Sequence, residues 1–215
     1  MKRVLILVEG QTEEAFVTQV LNPHLLHFSV YIVPVILRTS LFQHGKGGVS
    51  NYSRIKDHLL RLLGDTSATV VTTMFDYYRF PRDFTGQQNV VTSDPYQLVD
   101  YLERAFARDI GDPRFFPFLM LHEFEALLFA DIDKLFEVIP ETTAQAKRSL
   151  RQAAQQPPET IDEGGNTHPS KRILQHIPSY SKLLHGVLTV KRIGLPVIRD
   201  KCPHFNGWLT KLESL

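Results

Sequence analysis

The chain has 215 residues, with 24 Lys and Arg against 23 Asp and Glu and a formal charge of +1. That length supports one well-cored domain without disulfides, and the charge balance excludes a protein that coats nucleic acid by bulk charge. The one cysteine, Cys202, excludes an internal disulfide and a thiolate zinc site, and fits a reducing cytoplasm.

Val4 to Val8 is an aliphatic, β-branched run that suits a first strand buried on both faces. It is short and lacks a small-residue cleavage site, so it does not read as a signal peptide. No apolar stretch approaches bilayer length, and no membrane partner is expected. Thr12 offers a helix cap, Glu13 and Glu14 favour the positive helix end, and Phe16, Val17, Val20 and Leu21 recur at helical spacing until Asn22-Pro23.

Val30 to Leu37 is a second strand, whose Pro34 removes a ladder donor and marks an edge or a bulge. In the following His44-Gly45-Lys46-Gly47-Gly48, backbone amides and Lys46 can cradle phosphate, but P-loop spacing is absent; a hairpin tip is the competing reading. Ile55, Leu59, Leu62 and Leu63 stripe a helix that Gly64 ends, and Ala68 to Phe75 is a third strand. Asp94-Pro95 starts a helix running through Leu98, Val99, Leu102 and Phe106 to near Gly111. Phe115 to Leu121 is a fourth strand despite Pro117, and Glu123 to Ala130 turns to helical spacing.

This alternation predicts an α/β core over residues 1–131, a mostly parallel sheet flanked by helices. Residues 132–215 read as a helical extension packed on it, the whole being one domain or two. Gln155 to Thr167, with Pro157-Pro158 and Gly164-Gly165, is the stretch best suited to a mobile loop. From Gly164 onward eight Lys and Arg face two acids, which describes either a solvated helical surface or a phosphate-binding face.

In an open parallel sheet function gathers outside the carboxyl ends of the strands. Glu9, Asp76 and Glu123 follow or end three of the expected strands, with Glu13 and Glu125 close by in sequence. Carboxylates pressed together repel one another unless a cation neutralises them, and an oxygen-only set favours Mg²⁺ or Mn²⁺, with His122 leaving room for a softer metal. Each acid alone also reads as a helix cap or loop end, Glu13 and Glu125 especially. Glu123 and Glu125 point the same way only in extended backbone; if a helix begins at Glu123, one of them turns away, towards Lys171 or Arg172. Ser181 and the histidines show no nucleophile-and-base spacing, and Cys202 reads as buried.

Val8-Glu9-Gly10-Gln11-Thr12-Glu13-Glu14 after a strand resembles the opening motif of Toprim domains, found in topoisomerases, primases and overcoming-lysogenization-defect nucleases. With Asp76-Tyr77-Tyr78-Arg79-Phe80-Pro81, Leu121-His122-Glu123-Phe124-Glu125-Ala126-Leu127-Leu128-Phe129, Pro169-Ser170-Lys171-Arg172 and Cys202-Pro203-His204-Phe205, the chain is similar to the bacterial "domain of unknown function 4276" family. The resemblance implies a Toprim-like sheet, a first acid at Glu9, a metal ligand at Asp76, and association with ATPases in anti-phage defence. Tyr78 stands where the Toprim pattern has a second aspartate; Glu123 or Glu125 is then the candidate replacement, and Lys171, with Arg172 beside it, the phosphate contact. The expected function is metal-dependent cleavage of nucleic acid, with Glu9, Asp76 and Lys171 catalytic. A non-catalytic adaptor or sensor is the alternative, and small-molecule phosphotransfer a third reading that lacks a recognised nucleotide loop.

Overall fold

The structure is a computed structural model that describes residues 1–37, 52–77, 81, 83–87, 92–121, 123–161 and 167–215. Lys46 and its glycine-rich segment, Tyr78, and His122 lie outside the described residues. Two compact units are present: Met1–Leu119 with Leu212–Leu215, and Met120–Lys211.

In the first unit β1 (Lys2–Val8) pairs in parallel with β2 (Val30–Ile36) on one side and β3 (Val70–Asp76) on the other. Val4 to Val8 are all buried, which explains their unbroken apolar character. A short β4 (Leu119–Met120) completes the order β2-β1-β3-β4. The sheet is parallel and flanked by helices, as the alternation of elements predicts. Because the chain leaves β1 for β2 and then crosses back to β3, the topological switch point lies between the ends of β1 and β3.

Three local expectations are corrected. Asn22-Pro23 does not stop the first helix. Instead α1 (Gln11–Phe16) runs through a π-helical stretch, Val17–Leu21, into α2 (Asn22–Leu26). The Asn22 N–H reaches back to the Val17 carbonyl, five residues away, and this widened turn accommodates a proline that a regular helix would exclude. Thr12 is not the cap; Gly10 holds that position in extended conformation and Thr12 is buried as the second residue of the helix. The fourth strand is only two residues long because Pro117 has no N–H to give a ladder. A single parallel bridge joins Val71 to Phe115. Thereafter the Thr73 hydroxyl substitutes for backbone, donating to the Phe118 carbonyl and accepting from its N–H, both at 3.0 Å.

Side chains close both sheet edges. Odd-numbered residues of β2 face β1, as the bonds from Lys2 N–H to the Ser29 carbonyl and from Leu37 N–H to the Val8 carbonyl require. Outward along β2, Ile32 N–H is taken by Asn22 Oδ1 at 3.2 Å, and Pro34 has no donor. At the far edge Leu119 N–H goes to Glu103 Oε1 at 2.8 Å. Edges treated in this way offer little to a passing strand.

α3 (Tyr52–Leu63) and α4 (Pro95–Ile110) follow their apolar stripes, burying Ile55 and Leu59, and Val99, Leu102 and Phe106. As read from sequence, Asp94 caps α4 by accepting from Gln97 N–H at 2.9 Å, with Pro95 following it. Gly111 ends the helix at φ 71°, the left-handed region that favours glycine. The second unit is helical: a 3-10 segment (Phe124–Asp131), α5 (Asp133–Val138), α6 (Ala144–Ala153), a short 3-10 turn (Pro158–Thr160), α7 (Pro169–His176), a π segment (Lys182–Gly186), α8 (Val187–Ile193), α9 (Leu195–Lys201) and α10 (Pro203–Glu213). Phe124, Leu128, Ile173, Val190, Ile198 and Phe205 are fully buried in it. No helix among the described residues is long and apolar enough to cross a membrane.

Candidate functional site

Glu9 is the first residue after β1, and Asp76 the last of β3, so both stand at the carboxyl end of the sheet beside the switch point. They meet there: Glu9 Oε1 accepts the Asp76 backbone N–H at 2.9 Å, which brings together residues 67 positions apart. Asp76 is 4% exposed and Glu9 half-buried. Glu13, also 4% exposed on the first turn of α1, folds back over the chain; a Cβ on Gly10 would lie 3.6 Å from Glu13 Oε2.

The donor set is oxygen only. Among the described residues no group of three or more His, Cys, Asp or Glu is gathered closely enough to hold a metal ion, so Glu9 and Asp76 form a pair rather than a cage. A pair suits Mg²⁺ or Mn²⁺, which keeps several waters and takes one or two carboxylates together with substrate phosphate; it does not suit calcium, which takes six to eight oxygens.

Glu123, Glu125, Lys171 and Arg172 belong to the second unit. Glu123 is extended, with φ −150° and ψ 160°, and the 3-10 helix starts one residue later. The two acids take different partners. Glu123 Oε2 accepts the Ser170 N–H at 2.8 Å, and its Oε1 the Ser170 hydroxyl at 3.0 Å. Glu125, 2% exposed, lies 3.6 Å from Lys182 Nζ, which also sits 5.7 Å from the centre of the Phe124 ring. Glu123 therefore meets Ser170 and Glu125 meets Lys182, beside and beyond the Lys171-Arg172 pair that the sequence suggests. Lys171 is exposed, and Arg172 donates from Nε to the Thr167 carbonyl.

A family model described as "Domain of unknown function (DUF4276)" matches residues 8–213. The chain belongs to this family. No curated protein matches it. Among solved structures, this DUF4276 chain is similar to the C-terminal region of the Xanthomonas campestris pv. campestris OLD protein, at 19% identity and a TM-score of 0.47, covering 100% of this chain and 99% of that one. It is also similar to the C-terminal region of the Burkholderia pseudomallei OLD protein, at 16% identity and a TM-score of 0.45, covering 97% and 99%.

Four residues of the DUF4276 chain make contacts for which the sequence assigns them no role. Ser170 receives Glu123, and Lys182 receives Glu125. Tyr180 is 7% exposed; burial first, and then the Glu125 charge, push its hydroxyl well above the usual range. Its Oη packs so close to Gly186 that an added Cβ would come within 2.8 Å, which accounts for glycine there. Glu159, 4% exposed, accepts from His204 N–H at 3.0 Å and Phe205 N–H at 2.9 Å. Pro169 and Pro203, each opening a helix, are the sequence signals that could have directed attention to these capping sites. Cys202 is buried, as expected, and burial followed by the Glu159 charge raises its thiol. Ser181 caps the π segment by accepting from Leu184 N–H.

Proposed function

We propose that this DUF4276 protein is a metal-dependent phosphodiesterase acting on nucleic acid, a nuclease or nickase of Toprim type. The observation that carries the reading is the Glu9–Asp76 contact at the switch point, where an open parallel sheet gathers its ligands. The Toprim-like motif around Glu9 supports it, and the family association suggests an ATPase partner in anti-phage defence, in the cytoplasm.

Glu9 and Asp76, with Glu13 behind them, are the residues to hold Mg²⁺ or Mn²⁺. Such an ion neutralises phosphate charge and activates water. The chain's own contribution is preorganisation. Asp76 ends β3, and its N–H holds Glu9 Oε1, so the Glu9 carboxylate does not have to be gathered from solvent when substrate arrives. Lys171 and Arg172, at the start of α7 in the basic tail, serve as phosphate contacts for the backbone of the nucleic acid.

The test is incubation of plasmid DNA and structured RNA with Mg²⁺ or Mn²⁺, with and without a neighbouring ATPase, comparing wild type with Glu9→Gln and Asp76→Asn. Cleavage lost in both variants supports the enzyme. Metal binding without cleavage favours the second reading, a non-catalytic adaptor or sensor, for which Tyr78 in place of a second aspartate is the specific observation. Absence of metal binding would remove the site.

A further inference from the structure

Two helices of the second unit begin in the same unusual way. Both α7 and α10 open on a proline, Pro169 and Pro203, which has no N–H, so the first donors are Ser170 in α7 and His204 and Phe205 in α10. At α7 the residue before the proline, His168, makes no side-chain capping bond. In each case a glutamate distant in sequence takes those donors with both of its oxygens: Glu123 those of Ser170, and Glu159 those of His204 and Phe205. Both glutamates are buried, at 2% and 4% exposure. A helix N-terminus stabilises a carboxylate without a cation, through its aligned N–H groups and the field of the helix.

We infer that Glu123 is a positioning residue that clamps the first turn of α7, and not a metal ligand. The extended backbone at Glu123 is what delivers the carboxylate to Ser170. Through Ser170 it holds the next two residues, Lys171 and Arg172, in place; their contact with phosphate is the part that rests on the function proposed above. The alternation of acids at 123 and 125 then has a structural purpose, with Glu123 holding α7 and Glu125 meeting Lys182.

The test uses the full chain, with Mn²⁺ alone as the metal probe and amide hydrogen exchange of the α7 segment as the second readout. In Glu123→Ala, exchange at the start of α7 accelerates by roughly five- to thirty-fold, the factor that loss of a cap produces, while Mn²⁺ affinity is unchanged. Glu123→Gln restores protection, since its carbonyl still accepts from Ser170 N–H and its amide can donate to the hydroxyl. Ser170→Ala gives a partial acceleration that is not additive with Glu123→Ala. If Glu123→Ala fails to fold, Glu123→Gln and Ser170→Ala carry the same comparison. Mn²⁺ affinity reduced by Glu123→Gln as much as by Glu9→Gln would overturn the inference, as would α7 exchange indifferent to Glu123 and Ser170. Should Glu9→Gln and Asp76→Asn bind Mn²⁺ like wild type, the metal reading fails alone, because the exchange measurement does not depend on it.

Discussion

The acids at the end of the sheet and the acids of the helical unit accept the same kind of donor and end in different situations. Glu9 takes one backbone N–H, and that N–H belongs to another acid, Asp76, so the bond brings two acidic residues to one end of the sheet. Glu123 and Glu159 take the first donors of α7 and α10, so each faces the positive end of a helix. A carboxylate at a helix N-terminus is stabilised without a cation, whereas Glu9 is held at the sheet end where an open parallel sheet gathers its ligands. On the function and the inference proposed above, the partner and not the residue type separates the metal site from the brace.

The largest expected effect tests the brace. Glu159→Ala leaves His204 and Phe205 N–H groups without their acceptor at the head of a helix that buries Phe205, Leu209 and Leu212. It should cost about 3 kcal/mol, read from the urea midpoint, and Glu159→Gln should cost less than half of that. If Glu9→Gln destabilises as much as Glu159→Ala, the contrast between the two regions is lost.

Next come the sheet-end acids, where the loss should fall on metal and not on stability. Glu9→Gln and Asp76→Asn should each weaken Mn²⁺ binding by at least about 100-fold, the upper end of what altering a ligand's supporting partners costs. The urea midpoint should hardly move for Glu9→Gln, because the amide oxygen still accepts from Asp76 N–H. Isothermal titration of Mn²⁺ and urea unfolding on the same preparations check both halves.

A further acid, at the opposite end of the sheet, serves as a control. Asp65 is paired with Arg3 at 2.5 Å and bonded to Ser67. The Ser67 hydroxyl, and after it Arg3, hold its carboxyl at about 2 against an ordinary 3.8. A depressed folded pKa contributes stability that is present above the unfolded value and lost as pH falls through the folded one. The stability that wild type holds over Asp65→Asn should therefore be fully present near neutrality and shrink as pH falls from about 4 to 2, so that acid destabilisation over that window is shallower in the variant. Urea midpoints measured across that window decide it.

Smaller effects sharpen the picture at the sheet edge and beneath the α10 clamp. Pro34→Val restores an outward N–H on β2 and should raise concentration-dependent self-association in light scattering, with Asn22→Ala adding to it. Cys202 should stay unreactive to an aromatic disulfide reagent until the protein unfolds, since burial and the Glu159 charge both disfavour its thiolate.

What the sequence by itself determined was local. The buried run Val4 to Val8, the Asp94-Pro95 start and Gly111 stop of α4, and the strand-helix alternation that makes the sheet parallel are each written within a few residues, because caps, proline geometry and apolar periodicity act at that range. So was the candidacy of Glu9 and Asp76, since a strand followed or ended by an acid is visible without knowing its neighbours. Tertiary structure decided the rest. It alone shows that a π turn carries the first helix through Pro23, that Thr73 takes over the pairing Pro117 forfeits, and that Glu123 meets Ser170, 47 residues away. No local rule specifies the partner of a side chain across such a distance. That choice follows from which backbone donors packing has left nearby, and at α7 and α10 a proline had already removed one donor from the helix start where Glu123 and Glu159 accept.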